Sequence, residues 1–98
     1  MIFLKTSFFP KNSGPYRKIF YGSCSSYGMY PISSIQECQV AAKAIGSLDT
    51  TATEVGASHL PEGCYWDSTY RKLWLSWVMG NLGNGADSTL HPICKKHG

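Results

Sequence analysis

Cysteine, histidine and carboxylate side chains are where covalent, metal or acid–base chemistry would have to reside in this 98-residue sequence. The cysteines are Cys24, Cys38, Cys64 and Cys94, widely spaced and without a CxxC pair. Zinc sites draw their ligands in close pairs, because one tight turn brings two of them to the same ion. That pattern is missing, so no metal site is expected. An even, widely spaced set reads instead as two disulfides in an oxidising compartment, the other reading being four buried thiols in a cytosolic protein. A Cys–His nucleophile needs a free thiol of lowered pKa, and paired cysteines leave none. His59, His91 and His97 are far apart. His59 or His91 as a metal or pigment ligand competes with the ordinary role of a solvated or hydrogen-bonded side chain.

The carboxylates are Glu37, Asp49, Glu54, Glu62, Asp67 and Asp87. Glu62 and Asp67 flank Cys64 and could face one another as the acid pair that glycoside hydrolysis uses, but so short a chain offers little cleft. Asp67 reads more simply as a turn residue before Ser68. The glycine-rich run Gly80–Gly85 lacks the lysine and following helix of a phosphate loop. No catalytic set and no cofactor are expected.

Aromatic residues carry the one positive functional signal. Tyr65, Trp66, Tyr70, Trp74 and Trp77 fall within about a dozen residues that read as a hairpin. A two-sided hairpin with a helix on one face does not bury them all, so Trp66 or Trp74 is expected at the surface, as part of a binding patch for protein, sugar or lipid. The competing reading is that the N-terminal arm covers them.

Elements must position these groups, and composition says that they form. Hydrophobic residues make up 43% and charged residues 15%, too apolar for a disordered chain. The net charge of +3 comes from scattered lysines and arginines with no phosphate-tracking stripe, so nucleic acid is not expected as a partner. No apolar span is long enough for a bilayer, and the run before Pro10, interrupted by Lys5, is too short for the core of a signal peptide.

Residues 1–15 read as an N-terminal arm and 16–98 as a single domain. Residues 16–24, with Ile19, Phe20 and Tyr21, predict a strand, and 25–31 a loop. Ser33–Gly46 predicts a helix: Ser34 and Glu37 form a capping box, Gly46 a left-handed stop, and Ile35, Cys38, Ala42 and Ile45 one apolar face. Cys38 then points at the core. Residues 47–62 read as a crossover loop with a strand turn near Thr53–Val55. The segment from Gly63 to Asp67 predicts a strand, 68–71 a turn, and 72–79 a second strand. There Leu73, Leu75 and Trp77 share one face, and Trp74, Ser76 and Val78 the other. Residues 80–85 form a loop needing positive φ in places, and 90–96 a last strand with Pro92 at a sheet edge. The fold class is α+β, one helix on a small antiparallel sheet.

The string Cys24, Ile35-Gln36-Glu37-Cys38-Gln39-Val40-Ala41-Ala42, Gly46, Pro61-Glu62-Gly63-Cys64-Tyr65-Trp66, Leu73-Trp74 and Ile93-Cys94 resembles PAN/apple-like modules over residues 16–95. It also resembles a small cysteine-containing module of dinoflagellate and other algal proteins. The resemblance implies Cys38 joined to Cys64, helix to central strand, and Cys24 joined to Cys94, first strand to last. It implies no catalytic residues and a binding role toward proteins or carbohydrates. The chain differs from apple domains in having fewer cysteines and an added arm. The expected function is a protein-interaction module in an extracellular or lumenal, oxidising compartment. The alternatives are a structural subunit of a large assembly such as a lumenal photosynthetic complex, and a carbohydrate-binding module.

Overall fold

The computed structural model describes residues 14–98, so the arm assigned to residues 1–15 lies, up to residue 13, outside the described residues. Six strands, β1 (Tyr16–Lys18), β2 (Tyr30–Pro31), β3 (Thr53–Val55), β4 (Cys64–Asp67), β5 (Lys72–Ser76) and β6 (Leu90–Lys95), accompany one helix, α1 (Ile35–Ala44). The sheet order is β1-β6-β4-β5-β3, with β2 also pairing β6. All pairings are antiparallel except β3 with β5, which is parallel and makes the sheet mixed where a purely antiparallel one was expected. The short β3 comes up from the crossover loop at Thr53–Val55, as read from the sequence.

Helix α1 forms where its pattern placed it. The Ser34 hydroxyl accepts a hydrogen bond from the Glu37 amide at 3.1 Å. Glu37 does not close the capping box. Its carboxylate instead accepts from the Lys95 ammonium at 3.0 Å and from the Tyr16 hydroxyl at 3.1 Å, fastening the helix start to β6 and β1. At the other end Gly46 takes φ 75°, its amide bonds Lys43 O, and the Ser47 amide bonds Ala42 O. These two bonds are the Schellman stop, which a left-handed residue makes possible. Cys38, Ala41, Ala42 and Ile45 are buried, and they pack with Ile32, Cys64, Leu73, Leu75 and Ile93 in the main core. The sheet supplies that core through period-two alternation: Cys64 lies opposite Leu75 and Trp66 opposite Leu73, so all four share the helix-facing side.

The opposite side of the sheet is covered by chain rather than helix. Here Cys24, Cys94, Ile19 and Met29 form a second, smaller core. The two disulfides therefore hold opposite faces. Cys38–Cys64 joins α1 to β4, and Cys24–Cys94 joins the covering segment to β6, the pairing that the resemblance implied.

Four further expectations change. The strand foreseen over residues 16–24 ends at Lys18, and Cys24 begins a 3-10 turn over Cys24–Tyr27. Pro92 explains the early end. Its carbonyl accepts from the Ile19 amide at 2.9 Å, but it has no N–H to return, so the β1–β6 ladder stops there. Pro92 consequently sits in an interior strand, not at an edge, with its missing donor turned toward the side where β1 runs out. The loop foreseen over 25–31 holds that turn and also β2. Finally, β5 ends at Ser76, so Trp77 does not continue the Leu73–Leu75 face.

Candidate functional site

Where β4 and β5 meet, the Ser76 amide donates to Gly63 O at 2.8 Å. Gly63 adopts φ 61°, and any Cβ there would collide with the Ile32 carbonyl, so the chain after β2 runs close beside it. Beyond Ser76 the chain leaves the sheet and makes a 3-10 turn over Met79–Asn81. Between this turn and Pro31–Ser33 lies a recess of about 200 Å³, lined also by Gly63, Ser76, Trp77, Val78 and Leu82. Trp77 is 61% exposed, Met79 76% and Leu82 56%, three large apolar side chains at one concavity.

The rim is held from beneath. Asn81 is 1% exposed. Its amide nitrogen donates to Ser76 Oγ at 2.8 Å and to Ala57 O at 2.9 Å, while its oxygen accepts from the His59 amide at 3.1 Å. Asn84 adds a bond to Leu60 O at 2.9 Å. Trp77 lies on Gly56, where a Cβ would run into its indole, so the ring rests on bare backbone.

A second buried hub sits nearby. Glu62 is 4% exposed; one carboxylate oxygen accepts from the Cys24 amide at 2.8 Å and the other from the Gly83 amide at 2.8 Å. Asp67 serves the other end of β4, accepting from the Thr69 and Tyr70 amides at 3.0 and 3.2 Å and from the Trp74 indole at 3.3 Å. The two carboxylates thus hold separate sets of donors and do not form the facing pair considered from sequence. Among the described residues no group of three or more His, Cys, Asp or Glu side chains converges as a metal set would, and no helix is long and apolar enough to cross a membrane.

The five aromatics singled out from sequence do not form one patch. Tyr65 is buried, and burial, aided by the Asp67 charge, pushes its phenol up to about 12. Trp66 is also buried, against the expectation that it or Trp74 would be displayed, because the end of α1 and Lys18 cover it. Trp74 is half-buried on the opposite face, with the Lys72 ammonium 5.3 Å from its ring centre. Tyr70 and Trp77 are exposed, but they stand in the turn before β5 and just past its end. Sequence reasoning missed Met79, Leu82 and Pro31 as recess residues. Val78 and Met79 fell inside the strand read over 72–79 and Leu82 inside the Gly/Asn loop read over 80–85, so neither reading marked them as one shared surface. No protein-family model, curated protein or solved structure matches the chain.

Proposed function

We propose that the chain is a non-enzymatic protein-interaction module of an oxidising compartment, and that its recess takes one apolar or aromatic side chain of a protein partner. The observation that carries this reading is the exposure of Trp77, Met79 and Leu82 around a single concavity while Tyr65 and Trp66 are sealed in. Isolated apolar side chains at a surface are ordinary, but a cluster at a concavity marks a contact site. Size selects the occupant. At about 200 Å³ the recess exceeds the roughly 150 Å³ cavity that admits benzene. It falls short of the roughly 300 Å³ at which sites for whole small molecules begin. A single anchoring side chain is what fits, and central aromatic or aliphatic anchors supply most of the energy at protein interfaces. The helix-to-midsheet disulfide supports a PAN/apple-like assignment, whose members bind proteins or carbohydrates, and two disulfides suit an extracellular or lumenal location.

A photo-crosslinking residue at position 79 in the source extract names the partner, which is then purified for affinity measurement. Trp77→Ala and Met79→Ala are each expected to weaken binding about tenfold or more, a loss of about 1.4 kcal/mol. Tyr70→Ala and Leu48→Ala, exposed elsewhere, are expected to leave it within about twofold. An identified partner that binds the Trp77 and Met79 variants as tightly as the parent would overturn the reading, as would loss only on glycan removal.

A further inference from the structure

We propose that Met79 is the oxidant-sensitive site of this domain: a hydroperoxide converts its thioether to the sulfoxide, and the sulfoxide turns away the apolar anchor that the recess otherwise takes, a consequence that rests on the function proposed above.

Two-electron oxidants act in proteins on sulfur, on thiolates and on thioethers. Here no thiol is on offer, since the cysteines are joined as Cys24–Cys94 and Cys38–Cys64 and all four are fully buried. What remains is methionine. Met1 lies outside the described residues. Met29 is 7% exposed and packs with Ile19, Cys24 and Cys94 in the second core. Met79 is 76% exposed. A thioether reacts where peroxide can reach it, so among the described residues the reaction falls on Met79.

The step balances with the hydroperoxide as its one co-reactant. A lone pair on the Met79 sulfur attacks the terminal peroxide oxygen, an S–O bond forms and the O–O bond breaks. Sulfur is oxidised by two electrons. The peroxide is reduced to water, or to an alcohol where it carried a carbon group, and its proton passes to the leaving oxygen.

The backbone that carries Met79 is fixed. The Asn81 amide bonds Val78 O at 3.0 Å and the Leu82 amide bonds Met79 O at 3.1 Å, while Asn81 is anchored from beneath. A side chain so exposed supports little of the fold, and its oxidation leaves the domain standing. The effect falls on the recess, whose lining it shares with Ile32, Trp77, Val78 and Leu82. Among the described residues no charged side chain lines that recess. Oxidation makes a flexible apolar side chain polar and chiral. An apolar anchor would then strip water from the new oxygen without supplying a donor, and a polar group buried without a partner is costly.

The test exposes the full, disulfide-bonded chain to hydrogen peroxide. Peptide mapping locates the added oxygen, thermal unfolding reports the fold, and amide NMR shifts on adding toluene, the phenylalanine side chain capped with hydrogen, report the recess. The untreated parent is expected to show toluene shifts at residues 32–33, 63 and 76–82. Peroxide is expected to add one oxygen at Met79 and none at Met29, and to leave Tm within about 4 °C. It is expected to weaken toluene binding about threefold or more. Met79→Leu, whatever its starting affinity, is expected to bind toluene equally before and after peroxide. Met29→Leu, a volume-conserving core change, keeps Met79 and is expected to respond as the parent does. A Met79 left unoxidised, oxygen gained as readily at Met29 in the folded protein, or a fold lost with the sulfoxide would each overturn the site. Toluene binding that survives the sulfoxide, or that falls equally in Met79→Leu, would overturn the effect on the recess. An untreated parent without toluene shifts would take down the recess reading and that effect together, while the peptide map still decides whether Met79 is the reactive sulfur.

Discussion

Glu62 shows how one side chain can decide the course of two loops. Its carboxylate lies under the sheet surface and accepts from the Cys24 and Gly83 amides, one per oxygen at 2.8 Å. Backbone amides pointing into a buried site need acceptors, and an ionised carboxylate makes the stronger kind of bond. Removing it leaves two donors unpaired, one at the start of the 3-10 turn that carries Cys24 and one in the loop that closes the recess. Glu62→Ala is therefore expected to cost about 2–4 kcal/mol, and Glu62→Gln, which can still accept at one oxygen, about half of that. Urea unfolding of the two variants decides it. Equal and small losses from both would mean that water replaces the carboxylate without penalty. The sequence placed Glu62 beside Cys64 but supplied no donor for it, because both donors are backbone amides from segments 38 and 21 residues away.

Between β4 and the segment after β2 the limiting feature is close approach of backbone. Gly63 has φ 61° and no room for a Cβ against Ile32 O, while the Cys64 amide donates to that same carbonyl at 3.1 Å. Gly63→Ala combines a left-handed conformation, roughly 1–2 kcal/mol for an L residue, with a clash that the bonded strand pair resists. It is expected to lower stability by about 2–4 kcal/mol and to perturb the recess, of which Gly63 is a wall. A thermal shift within about 5 °C of the parent would show that the strands part more readily than this geometry allows. Elements of this kind divide cleanly by legibility. Helix α1 was readable because Ser34, the Ile35–Ile45 face and Gly46 all act within the helix itself. Strands β4 and β6 were readable to within a residue at their ends, whereas β5 stops three residues short of the strand read over 72–79. The end of β1 was not, because Pro92, in the last strand of the chain, terminates it, and neither was the recess. Met79 and Leu82 carry no local mark of exposure. Their display depends on Asn81, whose partners Ser76, Ala57 and His59 come from other segments.

For the molecule as a whole, the relevant fact is that the sheet is clamped on both faces by sulfur. Cys38–Cys64 closes 26 residues beneath α1, and Cys24–Cys94 closes 70 residues on the far side. In the chain-entropy account these constrain the unfolded chain by about 3.5 and about 4.4 kcal/mol. A domain of this size has a net stability of about 5–10 kcal/mol, so either clamp amounts to a large part of the total. The apolar core is small enough that its loss cannot be absorbed elsewhere. The two loops are nested, residues 38–64 lying inside 24–94, so with the outer bridge intact the inner one removes less freedom than it would alone. Cys38→Ala/Cys64→Ala is therefore expected to lose somewhat less than about 3.5 kcal/mol, lowering Tm by about 10–25 °C. Cys24→Ala/Cys94→Ala is expected to lose more, and removal of all four cysteines to leave no cooperative transition at 37 °C. Calorimetry of the three variants under oxidising conditions tests the ordering. If the inner pair proves the costlier to remove, cavity formation under α1, where Cys38 and Cys64 are both fully buried among Ala41, Ala42 and Leu75, outweighs loop entropy, and the main core rather than the outer clamp sets the stability of the fold.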